Sequence, residues 1–142
     1  MKKTRRRFLP GGYALRVGRT RTGLGLFAKE AIPRSACIIE YFGRRISPEE
    51  EYTSRSKYLF SVGRNMTIDG NVKENTARYI NHSCAPNCEV ELKYHRVYVF
   101  AKRRIEPGEE LNYDYGEEYF NEYLKPKGCR CTKCLSRTGS SV

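Results

Sequence analysis

The run Cys129-Arg130-Cys131-Thr132-Lys133-Cys134 places three thiols close together, and this spacing restricts the fold more than any other part of the chain. Thiols so spaced suit a metal ion better than disulfides. Structural zinc nearly always takes four ligands, so one more must arrive from elsewhere in the sequence. Cys84 and Cys88 are the candidates, and their chemistry alone does not separate them. Cys37 lies in the apolar run 36–42 and reads as a buried core thiol. The end of the chain is therefore expected to be tied to its middle.

A length of 142 residues favours one domain with one core. No apolar run approaches membrane-spanning length, so no membrane partner and a soluble protein are expected. The net charge of +11 is uneven: residues 1–45 hold 12 Lys/Arg against two Glu, and residues 46–142 hold 15 against 14 Asp/Glu. Residues 109–122 invert the sign, with Glu109, Glu110, Asp114, Glu117, Glu118 and Glu122 and no Lys or Arg. The basic front suits nucleic acid or another polyanion, and the acidic stretch suits a Lys/Arg-rich peptide. Thr4-Arg5-Arg6-Arg7-Phe8-Leu9 is similar to a twin-arginine export signal, but Arg16, Arg19 and Arg21 interrupt the apolar segment that such a signal needs. Residues 1–12 read instead as a flexible basic arm in a reducing compartment, where disulfides are rare.

Strand signals dominate. Runs at 36–42, 58–62, 89–92, 96–101 and 110–115 are rich in β-branched and aromatic residues, and Lys93-Tyr94-His95 reads as a hairpin turn. In 96–101, Val97, Val99 and Ala101 alternate with Tyr98 and Phe100. Helices are expected to be short. Ser47-Pro48-Glu49-Glu50 is a capping box with Pro at the first helical position. Residues 73–80 suit one or two turns, and 117–124 suit a helix stopped by Pro126. The fold class is mainly β with short helices.

Two further segments carry the functional signal: Arg78-Tyr79-Ile80-Asn81-His82-Ser83-Cys84 and Glu110-Leu111-Asn112-Tyr113-Asp114-Tyr115. Upstream lies Gly23-Leu24-Gly25, whose glycines allow close approach of backbone to a ligand. That pattern lacks the third glycine and the strand–helix context of a dinucleotide fingerprint. In this order, and with the cysteine run behind them, the segments resemble a SET domain followed by a post-SET zinc clip, over residues 13–135.

The resemblance implies a SET fold of small sheets with a C-terminal pseudoknot, spanning 13–116. A post-SET segment follows at 117–135, and then a disordered tail at 136–142. It implies methyl transfer from S-adenosylmethionine to lysine in a basic, histone or histone-like protein. Tyr115 matches the family's catalytic tyrosine, and Tyr41 and Tyr113 match the lysine channel. A Tyr at position 113 implies a bias to monomethylation. Gly23, Leu24, Gly25, Tyr58, Arg78, Asn81, His82, Tyr115 and Leu135 match cofactor-binding positions. The family draws its fourth zinc ligand from Cys84, beside Cys129, Cys131 and Cys134. Nucleic acid would be held by the N-terminal arm. The small form is similar to bacterial SET proteins, which implies a cytoplasmic, nucleoid-associated protein. A eukaryotic source, or secretion into a host, would imply the nucleus. A non-catalytic SET-like module binding nucleic acid or peptide is the competing expectation. It is disfavoured by the presence of both Tyr115 and the Asn81-His82 pair.

Overall fold

The computed structural model describes residues 7–116, and it is built almost entirely of short strands. β1 (Leu15–Thr20) and β2 (Gly23–Ala28) form an antiparallel hairpin. Thr20 closes its turn, with Oγ1 accepting from Thr22 N and donating to Gly23 O at 3.1 and 3.0 Å. β3 (Cys37–Tyr41) joins a second sheet, β4 (Arg44–Ile46) a third. α1 (Pro48–Thr53) comes next, then β5 (Leu59–Gly63) and β6 (Met66–Asp69). The second sheet runs β3-β9-β8, with β8 (Cys88–Lys93) and β9 (Arg96–Ala101); the third runs β4-β6-β5. The last pair is parallel: β7 (Asn81–His82) lies beside β10 (Asn112–Tyr113).

β9 is the central strand, and the expected alternation does not leave one of its faces to solvent. Val97, Val99 and Ala101 enter the main core with Leu26, Ile38, Ile80 and Leu111. Tyr98 and Phe100 point the other way into a smaller cluster with Cys37, covered by Phe8. Phe8 meets both rings edge-on, at 5.3 and 5.2 Å. Within the segment read as the basic arm, the described part therefore supplies a lid for the back of this sheet. Cys37 is buried as expected, and desolvation pushes its thiol up to about 11.

Two elements differ in detail from the sequence reading. Ser47 Oγ accepts from Glu50 N at 3.2 Å, but Glu50 turns its carboxylate to Arg44, so only half of the capping box forms. Of the one or two turns expected in 73–80, one forms, as a 3-10 turn at Thr76–Tyr79. Asn75 spends its fully buried side chain on Phe42 N and Gly70 O, which fixes the turn to β3 and β6. The strand expected over 110–115 is divided between two partners. Glu110 bridges Phe27 and Leu111 N donates to Leu26 O, whereas Asn112 and Tyr113 pair with β7. The segment thus crosses from the first hairpin to the centre of the molecule. The helix expected at 117–124 lies outside the described residues.

Candidate active site

The parallel pair β7–β10 assembles the site. Asn112 lies opposite Asn81, and Tyr113 lies opposite His82. Ser83 N continues the ladder to Tyr113 O at 3.1 Å. Tyr115 follows, and its backbone N–H donates to His82 Nδ1 at 3.1 Å. Its hydroxyl donates to the Ile80 carbonyl. The Tyr113 and Tyr115 rings stand 4.9 Å apart, and His82 meets the Tyr115 ring at 5.3 Å. Two segments about thirty residues apart in sequence thereby become one surface.

His82 braces this arrangement. Its Nδ1 accepts a backbone N–H, which places the proton on Nε2, 3.4 Å from Cys84 Sγ. Burial holds the imidazole pKa below its ordinary value, partly opposed by Asp114 with Oδ1 3.8 Å away. An Nε2–H aimed at sulfur suits a thiolate, the form in which cysteine binds a metal. Cys88 differs. It is fully buried on β8, its Sγ donates to Asn87 Oδ1 at 3.2 Å, and desolvation pushes its thiol up to about 12. Cys88 thus spends its thiol inside the core, whereas Cys84 is half-buried and faces His82. Cys129, Cys131, Cys134 and Leu135 lie outside the described residues, and no cluster of metal ligands occurs among the described ones.

The glycine segment opens β2 directly against β7. Asn81 Nδ2 donates to Leu24 O at 3.0 Å and to Glu110 Oε2 at 2.8 Å. Both amide hydrogens are therefore spent on the protein, and Oδ1 is what this side chain can offer a ligand. A Cβ at Gly25 would meet Glu110 Oε2 at 2.6 Å and Thr20 Cγ2 at 2.7 Å. Gly23 has φ +125°, with open space where a Cβ would be, and Leu24 is 47% exposed.

Tyr41, Tyr58 and Arg78 form a second group. Tyr41 Oη donates to Tyr58 O at 2.7 Å, and the absence of a Cβ at Gly70 lets that hydroxyl in. The Arg78 guanidinium lies 4.7 Å from the Tyr79 ring centre and 5.8 Å from that of Tyr58. It donates to Asn71 Oδ1 and Tyr79 Oη at 2.9 and 2.7 Å, and its buried Nε has no partner. Tyr58 and Tyr115 pack on the same core cluster as Tyr41 and Tyr113.

Sequence reading missed the residues that hold these parts together. Asn87, Asn112 and the carboxylate of Glu110 supply side-chain bonds that no periodicity announces. Their signal lay inside the motifs themselves, since Glu110 and Asn112 belong to the segment 110–115 and Asn87 lies five residues beyond His82.

The sequence profile of the SET domain matches residues 23–116, and the chain belongs to the SET-domain family. It is 38% identical over 125 residues to histone-lysine N-methyltransferase trr of Drosophila melanogaster, covering 79% of this chain and 5% of that protein. It is 42% identical over 106 residues to the H3 lysine-4 specific histone-lysine N-methyltransferase of Schizosaccharomyces pombe, covering 65% of this chain and 11% of that protein. A solved structure of a humanized mutant of the Chaetomium thermophilum Polycomb Repressive Complex 2, bound to the inhibitor GSK126, superposes with a TM-score of 0.68. The two are 33% identical, and the match covers 73% of this chain and 15% of that one. The chain thus corresponds to a small part of each of these relatives.

SET domains use S-adenosylmethionine, and two features here fit such a group. A guanidinium with a buried N–H to spare suits its carboxylate. Gly23, exposed at the start of β2 with open space where a Cβ would be, leaves backbone accessible to a ligand.

Proposed function

We propose that this protein is an S-adenosylmethionine-dependent protein-lysine N-methyltransferase acting on a basic, histone-like protein. The observation that carries this reading is the Tyr113–Tyr115 pair, 4.9 Å apart and backed by the Asn81-His82 strand, within a SET domain. Relatives bearing the name histone-lysine N-methyltransferase support the substrate class.

The bound cofactor supplies an electrophilic methyl on a sulfonium, and the protein must present a neutral amine to it. A free lysine has a pKa near 10.4, so the neutral form costs about 4.6 kcal/mol at pH 7. Aromatic walls lower that cost by desolvating the ammonium. The Tyr115 and Tyr41 hydroxyls give their hydrogens to the carbonyls of Ile80 and Tyr58. Their oxygens therefore act as acceptors toward the amine N–H groups and aim its lone pair. Arg78, Gly23, Leu24, Gly25, Asn81 and the His82 backbone would hold the cofactor. Tyr113, buried beside Tyr115, would narrow the channel and favour a single methyl. Cys84 with Cys129, Cys131 and Cys134 would bind structural zinc and close the C-terminal segment over the site, with Leu135 on the cofactor. The basic arm would keep the enzyme near nucleic acid, in a bacterial nucleoid or a nucleus.

The test is incubation with labelled S-adenosylmethionine and a panel of basic proteins, alongside Tyr115→Phe. Label on lysine with the wild type, lost with the variant, is the expected result. A folded wild type that binds no cofactor and transfers no label to any of the panel would overturn the reading.

A further inference from the structure

The back of the β3-β9-β8 sheet carries a second site. An open cavity of about 430 Å³ lies there, lined among others by Arg7, Phe8, Lys93, Tyr94, Arg96 and Tyr98. Tyr98 and Phe8 belong to the small cluster on the sheet face opposite the main core that holds Tyr113. The cavity is therefore separate from the methyl-transfer site.

Its composition is cationic and aromatic. Lys93 Nζ stands 4.7 Å from the Phe8 ring centre and 5.7 Å from that of Tyr94. Arg96 Nε donates to Glu40 Oε2 at 3.1 Å, the one carboxylate among the described residues that a lining cation engages. Among the described residues neither Arg7 nor Lys93 forms an ion pair, and three cations line the cavity. Cations thus gather at the hairpin end of this face, while Glu40 and Glu91 flank Tyr98 in the ladder farther along it.

The hairpin tip is the second observation. Lys93 and Arg96 are register partners, so Tyr94 and His95 form a two-residue turn. Both take left-handed backbone, with φ of 51° and 62°. Asn and Gly favour that turn, and other residues pay roughly 1–2 kcal/mol each for this conformation. His95 is fixed by packing of the tip against the neighbouring hairpin: its Nδ1 lies 3.0 Å from Val62 O, and Arg45 donates to its carbonyl at 2.8 Å. Tyr94 is 85% exposed. A strained turn that presents an exposed aromatic ring between two cations is the pattern of a base-stacking platform beside phosphate-binding side chains.

We infer that this cleft binds single-stranded nucleic acid, with Tyr94 stacking on a base and Lys93, Arg7 and Arg96 meeting the flanking phosphates. Anionic charge alone would be served by lysines and arginines; the exposed ring favours a ligand with π-faces. The inference deepens the nucleic-acid reading proposed for the basic arm, is independent of methyl transfer, and its test reads binding alone.

The experiment is fluorescence anisotropy of the full chain with a labelled oligothymidylate of about 20 nucleotides, in a series of salt concentrations. Tyr94→Ala should weaken binding about tenfold, and Tyr94→Phe, which keeps the ring, should bind as the wild type does. Lys93→Ala should lower the slope of log K against log salt by about 0.7. Both positions are exposed, and thermal melting checks that the variants fold; Lys93→Glu provides a second charge variant. Wild-type affinity in Tyr94→Ala overturns the inference. So does tighter binding to a phosphopeptide or to anionic vesicles than to the oligonucleotide, or a preference for duplex that ignores Tyr94.

Discussion

Asn87 and Asn112 clasp each other through reciprocal bonds: Asn87 N donates to Asn112 Oδ1 at 2.9 Å, and Asn112 N donates to Asn87 Oδ1 at 3.0 Å. Asn87 Nδ2 also donates to Glu110 O at 2.9 Å. The loop after β7 is thereby locked to the segment that carries Tyr113 and Tyr115. Two residues of parallel ladder are too few to hold a strand by themselves, and these side chains supply the remaining bonds. Asn87→Ala removes two of them in a buried setting. It should cost about 2–4 kcal/mol in urea unfolding, with methyl transfer falling in step.

Gly25 tests the fit of the cofactor segment. Gly25→Ala drives a methyl against Glu110 Oε2 and Thr20 Cγ2. Glu110 must then move, and its bond to Asn81 goes with it. Isothermal titration should show S-adenosylmethionine binding weakened about tenfold or more, whereas the melting temperature falls by only a few degrees. Gly23→Ala meets no atom but requires a positive φ, so it should act through turn strain of about 1 kcal/mol.

Tyr113 sets the width of the proposed channel. Tyr113→Phe removes one hydroxyl from a buried ring beside Tyr115. Mass spectrometry of a methylated substrate should show di- and trimethyl-lysine rising against the monomethyl product. An unchanged pattern would remove the proposed bias.

The two central cysteines should respond differently to zinc analysis. If the proposed zinc site holds, Cys84→Ser should weaken zinc affinity roughly tenfold or more, because it removes a proposed thiolate ligand. Cys88→Ala should leave zinc content unchanged. It should instead lower stability by about 1 kcal/mol through a small cavity and a lost thiol bond.

Acid sensitivity should include a contribution from Glu109. Arg103 donates to both of its oxygens at 2.8 and 3.2 Å, and Glu106 N donates at 2.6 Å. The Arg103 hydrogen bond holds its carboxyl below the usual carboxylate range. A depressed folded-state value means that the stabilisation is present above the unfolded pKa and is lost as pH falls through the folded one. Glu109→Gln should therefore be less stable than the wild type by about 0.2–1 kcal/mol at pH 6, and the gap should shrink as pH falls below the ordinary carboxylate range. Urea midpoints across that pH series measure it.

Much of the fold was legible because strand patterning is local. The hairpin at 88–101 and the capped helix after Ser47 follow from residue type and turn position alone. Both faces of β9 look alternately apolar in sequence; whether the second is covered depends on Phe8, some ninety residues earlier, which no local pattern reveals. The division of 110–115 between β2 and β7 escaped for the same reason, since a strand's partners are not written in its own residues.

The sequence by itself determined the family, because a glycine segment, Asn81-His82 and Tyr113–Tyr115 are identities that survive without coordinates. Only the tertiary structure decided what those identities touch. It made His82 a brace, turned the Asn81 amide onto Leu24 and Glu110, and left Cys88 sealed in the core while Cys84 faced His82. Hydrogen-bond partners and desolvation are properties of surroundings assembled from distant segments, and those exist only once the chain has folded.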